Sequence, residues 1–195
     1  MPALLFPEYC ITVSGLRMSN SNLIASLGSV FQLAFVPKDV DAALHHWTKT
    51  IGAGPFFRLP NVNERFATIK YKGVECQPIF SATIGYWNDV EIEFLEQSDN
   101  TPSIYNDPKY VRSGLHHVGV MTTDIGRAEK TIQRVGGKIV FDLIGPTGFR
   151  CFYADVGGDA GLIELVSATP EIAAMAKRVR DASLGWDGTD ALRTL

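Results

Sequence analysis

The chain has few cysteines, no long apolar run and no excess of basic charge, and each shortage removes a class of function. Cys10, Cys76 and Cys151 are odd in number and far apart, with no Cys-x-x-Cys pair. A disulfide framework and a zinc ribbon are therefore not expected, and free thiols in a reducing cytoplasm are. No apolar stretch approaches the ~20 residues that a membrane span needs. The opening MPALLFPEYCITVSGLR lacks a basic start and carries Pro7 and Glu8 inside its apolar part, so a secretory signal is not expected. Residues 1–27 read as an N-terminal extension, within which Met18 opens a second, ordinary polar N-terminus. The net charge of −3 over 195 residues gives no basic patch for nucleic acid and no polybasic anchor for a membrane. What remains is a chain expected in the cytoplasm, of a length that suits one domain or two small modules sharing a core.

What the chain does have is an internal repeat. FQLAFVPKDVDAALHHWTKTIGAGPFF (31–57) aligns with HHVGVMTTDIGRAEKTIQRVGGKIVF (116–141), with Gln32 on His117 and Asp39 on Asp124 at one offset. Each copy reads as strand, turn, helix, Gly-rich turn, strand. Phe31, Leu33 and Phe35 alternate with Gln32, Ala34 and Val36; Val118 and Val120 alternate with His117, Gly119 and Met121. Asp39 and Asp124 stand at helix N-caps, ahead of helices near 40–51 and 125–135 that Gly52, Gly54, Gly136 and Gly137 terminate. A second pair follows: DVEIEFLEQ (89–97) and GLIELVSA (161–168) align Glu93 with Glu164 at a shorter offset, so the first copy carries extra loop around LPNVNERF or VECQPIF. The expected architecture is α+β: two tandem βαβββ modules at 28–98 and 113–168, joined by a turn-rich linker at 99–112. Residues 169–195 add a C-terminal helix, capped by Thr169 with Pro170 at its first position, and an extended tail from which Trp186 packs back.

Each module thus offers one polar residue in its first strand, Gln32 or His117, and one carboxylate in its last, Glu93 or Glu164. Taken singly, a strand glutamate is usually solvent-facing and a lone histidine usually a satisfied structural residue. At repeat-equivalent positions, a pseudo-twofold pairing of the modules would converge all four. Three oxygen donors and one imidazole suit a single divalent cation (Zn, Ni, Co, Mn or Fe(II)), which would offset the cost of burying two carboxylates.

QLAFVPKDVDAAL, VEIEFLEQ, LHHVGVMTTDIGRA and GLIELVSA resemble the vicinal oxygen chelate superfamily, which includes glyoxalase I, methylmalonyl-CoA epimerase, extradiol dioxygenases and the fosfomycin and bleomycin resistance proteins. The resemblance spans about 28–168. It implies paired modules cupped into a barrel-like mixed sheet, a metal held by Gln32, Glu93, His117 and Glu164, and a homodimer. His117 matches the superfamily's ligand, whereas strand alternation turns His116 to the other face. The order Gln, Glu, His, Glu is similar to eukaryotic glyoxalase I and departs from methylmalonyl-CoA epimerases, which typically show His first and Gln second. No glutathione-binding signature is evident.

The implied chemistry is proton abstraction next to a metal-bound carbonyl through an enediolate, as in an isomerase, epimerase or lyase, with Glu164 as base and Glu93 as shuttle. A small-molecule binding or resistance protein without turnover is the alternative from another class. A ring-cleaving dioxygenase is disfavoured, because Gln32 takes the place of a required histidine. Tyr71, Trp87, Arg150 and Phe152 are the expected substrate-binding wall, with Arg150 placed to hold a carboxylate or phosphate.

Overall fold

The computed structural model describes residues 23–112, 114–158 and 161–195. Most of the N-terminal extension, with Met18 and Cys10, lies outside the described residues. In chain order the elements are β1 (Val30–Phe35), α1 (Val40–His46), β2 (Phe56–Leu59), β3 (Thr68–Tyr71), β4 (Val74–Glu75), β5 (Phe80–Trp87) and β6 (Val90–Gln97). Then follow β7 (Leu115–Thr122), α2 (Ile125–Arg134), β8 (Lys138–Ile144), β9 (Arg150–Asp155), β10 (Leu162–Ser167), α3 (Pro170–Ser183) and β11 (Leu192–Thr194). The strands form one mixed eleven-stranded sheet in the order β11-β2-β5-β6-β1-β7-β10-β9-β8-β3-β4. No helix among the described residues is long and apolar enough to cross a membrane.

The repeat is visible in that order. β1 runs parallel to β6 and β7 parallel to β10, while β5 and β9 join each pair by antiparallel ladders. The two first strands, β1 and β7, pair antiparallel at the centre, so both modules share one sheet within one chain. Local chemistry sets the helices. Asp39 Oδ1 accepts from Ala42 N at 2.9 Å and Asp124 Oδ1 from Arg127 N at 2.8 Å, capping α1 and α2. α1 widens into a π turn at Trp47–Ile51 and stops at Gly52, whose φ of 83° is the left-handed conformation that glycine adopts without strain. Thr169 Oγ1 caps α3 by accepting from Ile172 N, with Pro170 at the first turn.

Three segments go beyond the repeat. The extra loop of the first copy contains β3 and β4, and β3 crosses over to pair with β8, the outer strand of the second module. The linker is partly core: Ser103 and Ile104 are fully buried and Tyr105 nearly so. The C-terminal tail is extended, as β11, and pairs parallel with β2, the outer strand of the first module. Trp186 packs near Gly54, and its Nε1 donates to Thr189 O.

The alternation expected of the central strands is broken at two places. Val30 faces Val120 and Gln32 faces Gly119, so Phe31 is an extra residue on β1. Ala34 faces His117 and Phe35 faces Leu115, so His116 is an extra residue on β7. Phe31 and His116 are themselves repeat-equivalent. A bulge of this kind redirects side chains that strict period-2 alternation would send elsewhere, and Phe31 accordingly lines the cavity rather than joining Leu33 and Phe35 under α1.

Candidate functional site

The central ladder sets the register of the polar residues. Gln32 pairs with Glu91 on one side and Gly119 on the other, and Gly119 pairs with Glu164. Ala34 pairs with Glu93 on one side and His117 on the other. Small residues between the donors leave room for them: a methyl added to Gly119 would stand 2.8 Å from Gln32 Oε1. His117 is wholly buried, and its Nε2 lies 3.5 Å from Glu93 Oε2 and 3.6 Å from Glu164 Oε2. Gln32, Glu93 and Glu164 line a cavity of about 710 Å³ whose walls are mainly apolar.

Three buried atoms at this point have no hydrogen-bond partner among the described residues: Gln32 Oε1, Glu93 Oε2 and His117 Nε2. An unsatisfied buried acceptor such as Gln32 Oε1 costs about 1–3 kcal/mol, while Glu93 Oε2 and His117 Nε2 face one another at 3.5 Å, an ion-pair rather than a hydrogen-bond distance, so the cluster is not that of a purely structural core. Among the described residues no three His, Cys, Asp or Glu side chains close into a ready metal cluster. What the chain presents is an imidazole between two carboxylates with an amide oxygen beside them. These donors fit a divalent cation by type, and the orphaned atoms are the ones a cation would take.

The electrostatics favour positive charge at that point. Burial alone would push the His117 imidazole down, but the carboxylates of Glu164 and Glu93 overrule it and raise it to about 9. Burial raises Glu93, and the Glu164 charge adds to this against the opposing pull of His117. His116 is pushed down to about 3 by burial and by the charge of His117, so it stays neutral. Burial raises Glu91 to about 7, aided by Glu93 and opposed by hydrogen bonds from Gln32 and Tyr86.

The four residues expected to contact substrate stand elsewhere. On β9, Cys151 and Tyr153 face the cavity, while Arg150 and Phe152 face α2. Phe152 packs with Leu27, Ala128 and Ile132, and the Arg150 guanidinium is held by Asp142 (2.8 and 3.0 Å) and Glu129 (2.6 Å). Arg150 and Phe152 differ from Cys151 and Tyr153 by one residue of register, which turns a side chain to the opposite face of the strand. Tyr71 is buried beneath the linker, with its hydroxyl on Asp107. Trp87, at the end of β5, is 46% exposed and borders a shallow depression near Trp186.

In their place the cavity is walled by Cys151 and Tyr153, by Tyr105 from the linker, and at its mouth by Val62, Arg65 and Phe66 from the excursion between β2 and β5. Phe66 meets Phe149 with ring centroids 6.0 Å apart, and Ile172 and Met175 of α3 cover another side. Arg65 is the one basic side chain of that wall, and it has no ion-pair partner among the described residues. It takes the position expected of Arg150. The sequence signals were the apolar pair Ile104-Tyr105 inside a polar linker, and Glu91 two residues before Glu93 on the same strand face.

The model of the glyoxalase/bleomycin resistance protein/dioxygenase superfamily matches residues 31–153, more than half of the chain. The chain belongs to this superfamily. Solved structures with the same fold include methylmalonyl-CoA epimerase from Mycobacterium tuberculosis, at 15% identity and TM-score 0.53, covering 76% of this chain and 93% of that one. A variant epimerase from Streptomyces coelicolor in complex with 2-nitronate-propionyl-CoA is 18% identical, with TM-score 0.51 over 74% of this chain and 96% of that one. A hypothetical protein from Bacillus halodurans C-125 is 11% identical, with TM-score 0.51 over 72% and 94%. At such identities the likeness is one of fold. The comparison with curated proteins finds no match.

Proposed function

We propose that the protein is a divalent-metal-dependent isomerase, epimerase or lyase that moves a proton on the carbon next to a carbonyl of a small, largely apolar molecule. The observation that carries this reading is the trio of buried polar atoms without hydrogen-bond partners, Gln32 Oε1, Glu93 Oε2 and His117 Nε2, of which Gln32 and Glu93 line the cavity and His117 stands behind Glu93 and Glu164. With Glu164 they would hold one cation, which when bound supplies Lewis acidity to the substrate's carbonyl oxygen. The chain's own groups do the rest. Glu164 takes the proton from carbon, flanked by the neutral Cys151 thiol and Tyr153 phenol, both of which burial holds protonated. Glu93 lies across His117 from Glu164 and returns the proton on the other side. The apolar walls and α3 keep water from the carbanionic carbon, and Arg65 at the mouth suits a substrate that ends in an anionic group.

The test is metal content followed by proton exchange. Protein purified without chelator is expected to carry about one divalent ion per chain, and His117→Ala and Glu93→Ala to lose it. Glu164→Gln keeps an oxygen donor and the shape of the side chain, yet a neutral amide cannot take the proton. It is expected to retain some metal and to lose solvent-deuterium exchange into a bound carbonyl compound. Exchange in Glu164→Gln as fast as in the parent would remove Glu164 as base. A parent that binds metal and carbonyl compounds but never exchanges would instead be a binding protein.

A further inference from the structure

We propose that His116 and Glu91 are positioning residues, each holding a first-strand side chain so that the atom that would meet the cation, His117 Nε2 or Gln32 Oε1, is turned into the site. The inference rests on the reading above that His117 and Gln32 hold a cation. His116 Nε2 lies 3.1 Å from Ile104 O, and its Nδ1 lies 2.9 Å from His117 Nδ1. A carbonyl oxygen only accepts, so the His116 proton is on Nε2. At 2.9 Å only one of the two facing Nδ1 atoms carries a proton, and with the His116 proton on Nε2 it is His117 Nδ1–H that donates to His116 Nδ1. The chain Ile104 O, His116, His117 therefore leaves His117 Nε2 as the atom aimed between Glu93 and Glu164. In the first module Gln32 Nε2 donates to Glu91 Oε1 at 2.8 Å. That contact fixes the flip of the amide and leaves Gln32 Oε1, the orphan, facing away from Glu91 toward the site.

Both partners are buried, Glu91 at 4% and His116 at 2% exposure, so their bonds are not shared with solvent. The backbone supports the arrangement. The bulge at His116 cancels the alternation that would send its ring to the far face, and so lets two successive histidines touch. Ile104 comes from the linker, so the join between the modules takes part in orienting the second module's donor. Elsewhere such outer partners set ligand orientation, and their loss costs about 10- to 100-fold in metal affinity.

The experiment measures Zn²⁺ affinity of the full chain against a competing chelator. It compares the parent with His116→Leu, His116→Asn, Glu91→Leu and Glu91→Gln, with thermal unfolding alongside. The leucine variants are expected to bind about 10- to 100-fold more weakly. The asparagine and glutamine variants are expected to recover most of the loss, because an amide oxygen still accepts from His117 Nδ1–H or from Gln32 Nε2. A merely structural role would lower unfolding temperature without this pattern of rescue. Long-range proton–nitrogen spectra of the zinc-loaded parent supply a check that needs no variant to fold, with His117 expected to be protonated at Nδ1 and bare at Nε2. The opposite tautomer, or leucine variants that bind as tightly as the parent, would overturn the positioning role alone. A parent that binds no zinc would overturn the functional reading and this one with it.

Discussion

A hydrogen atom in place of a side chain is what lets Gln32 reach the site. A Cβ on Gly119 would stand 2.8 Å from Gln32 Oε1 and 3.0 Å from Gln32 Cβ. No positive φ is involved, so alanine is allowed by the backbone there and the conflict is with two side chains, Gln32 and Phe31, whose Cε1 would stand 3.0 Å away. Gly119→Ala is therefore expected to displace the amide and lower divalent affinity, at a stability cost of about 1–3 kcal/mol for overpacking. Gly126→Ala in α2 is the control: its new methyl meets nothing nearer than 3.6 Å. It should leave affinity unchanged, as titration of both variants would reveal. Equal affinity in the two variants would mean that Gln32 Oε1 is not a donor.

The elements that the repeat produces were readable from hydrophobic period and caps, since α1, α2 and the four inner strands follow local chemistry. Elements that depend on long-range pairing were not. Nothing local says that β3 leaves its own module to pair with β8, or that Ile104 and Tyr105 enter the core from a polar linker. Alternation also failed where it was trusted too far. The bulge at His116 hid the partner of His117, and one residue of register on β9 exchanged Arg150 and Phe152 for Cys151 and Tyr153. The crossing of β3 is tied down by Asp107 of the linker, which accepts from the Tyr71 hydroxyl and from Lys72 Nζ at 2.8 Å. Lys72, then Tyr71 and the Lys109 amide, hold this carboxyl down at about 2 against an ordinary 3.8. A depressed folded value means stabilisation that is complete above the ordinary value and fades as pH falls from 3.8 toward 2. After allowance for solvent screening it is worth about 1 kcal/mol. Asp107→Asn is expected to melt lower than the parent at pH 6, with the gap narrowing below pH 3.8 and closing only below about pH 2. A gap that stays constant with pH would show that the carboxylate's charge is not what ties the linker to β3.

Taken together, the two modules bring the four proposed donors together inside one chain. Gln32 and Glu93 come from the first module and His117 and Glu164 from the second, and the antiparallel pairing of β1 with β7 brings them to a common centre without a partner subunit. Both outer edges of the repeat are occupied by the chain's own strands, β11 on β2 and β3 on β8. Covered edges leave less unpaired backbone to recruit another copy by strand addition. The homodimer that the superfamily suggests would then form through other surfaces and leave the donor set intact. Metal loading is accordingly expected to be independent of protein concentration. Light scattering would locate any monomer–dimer transition, and zinc stoichiometry measured on either side of it should stay at about one per chain. Occupancy that falls in step with dissociation would mean that a residue of a second copy completes the site, and the single-chain donor set would have to be abandoned.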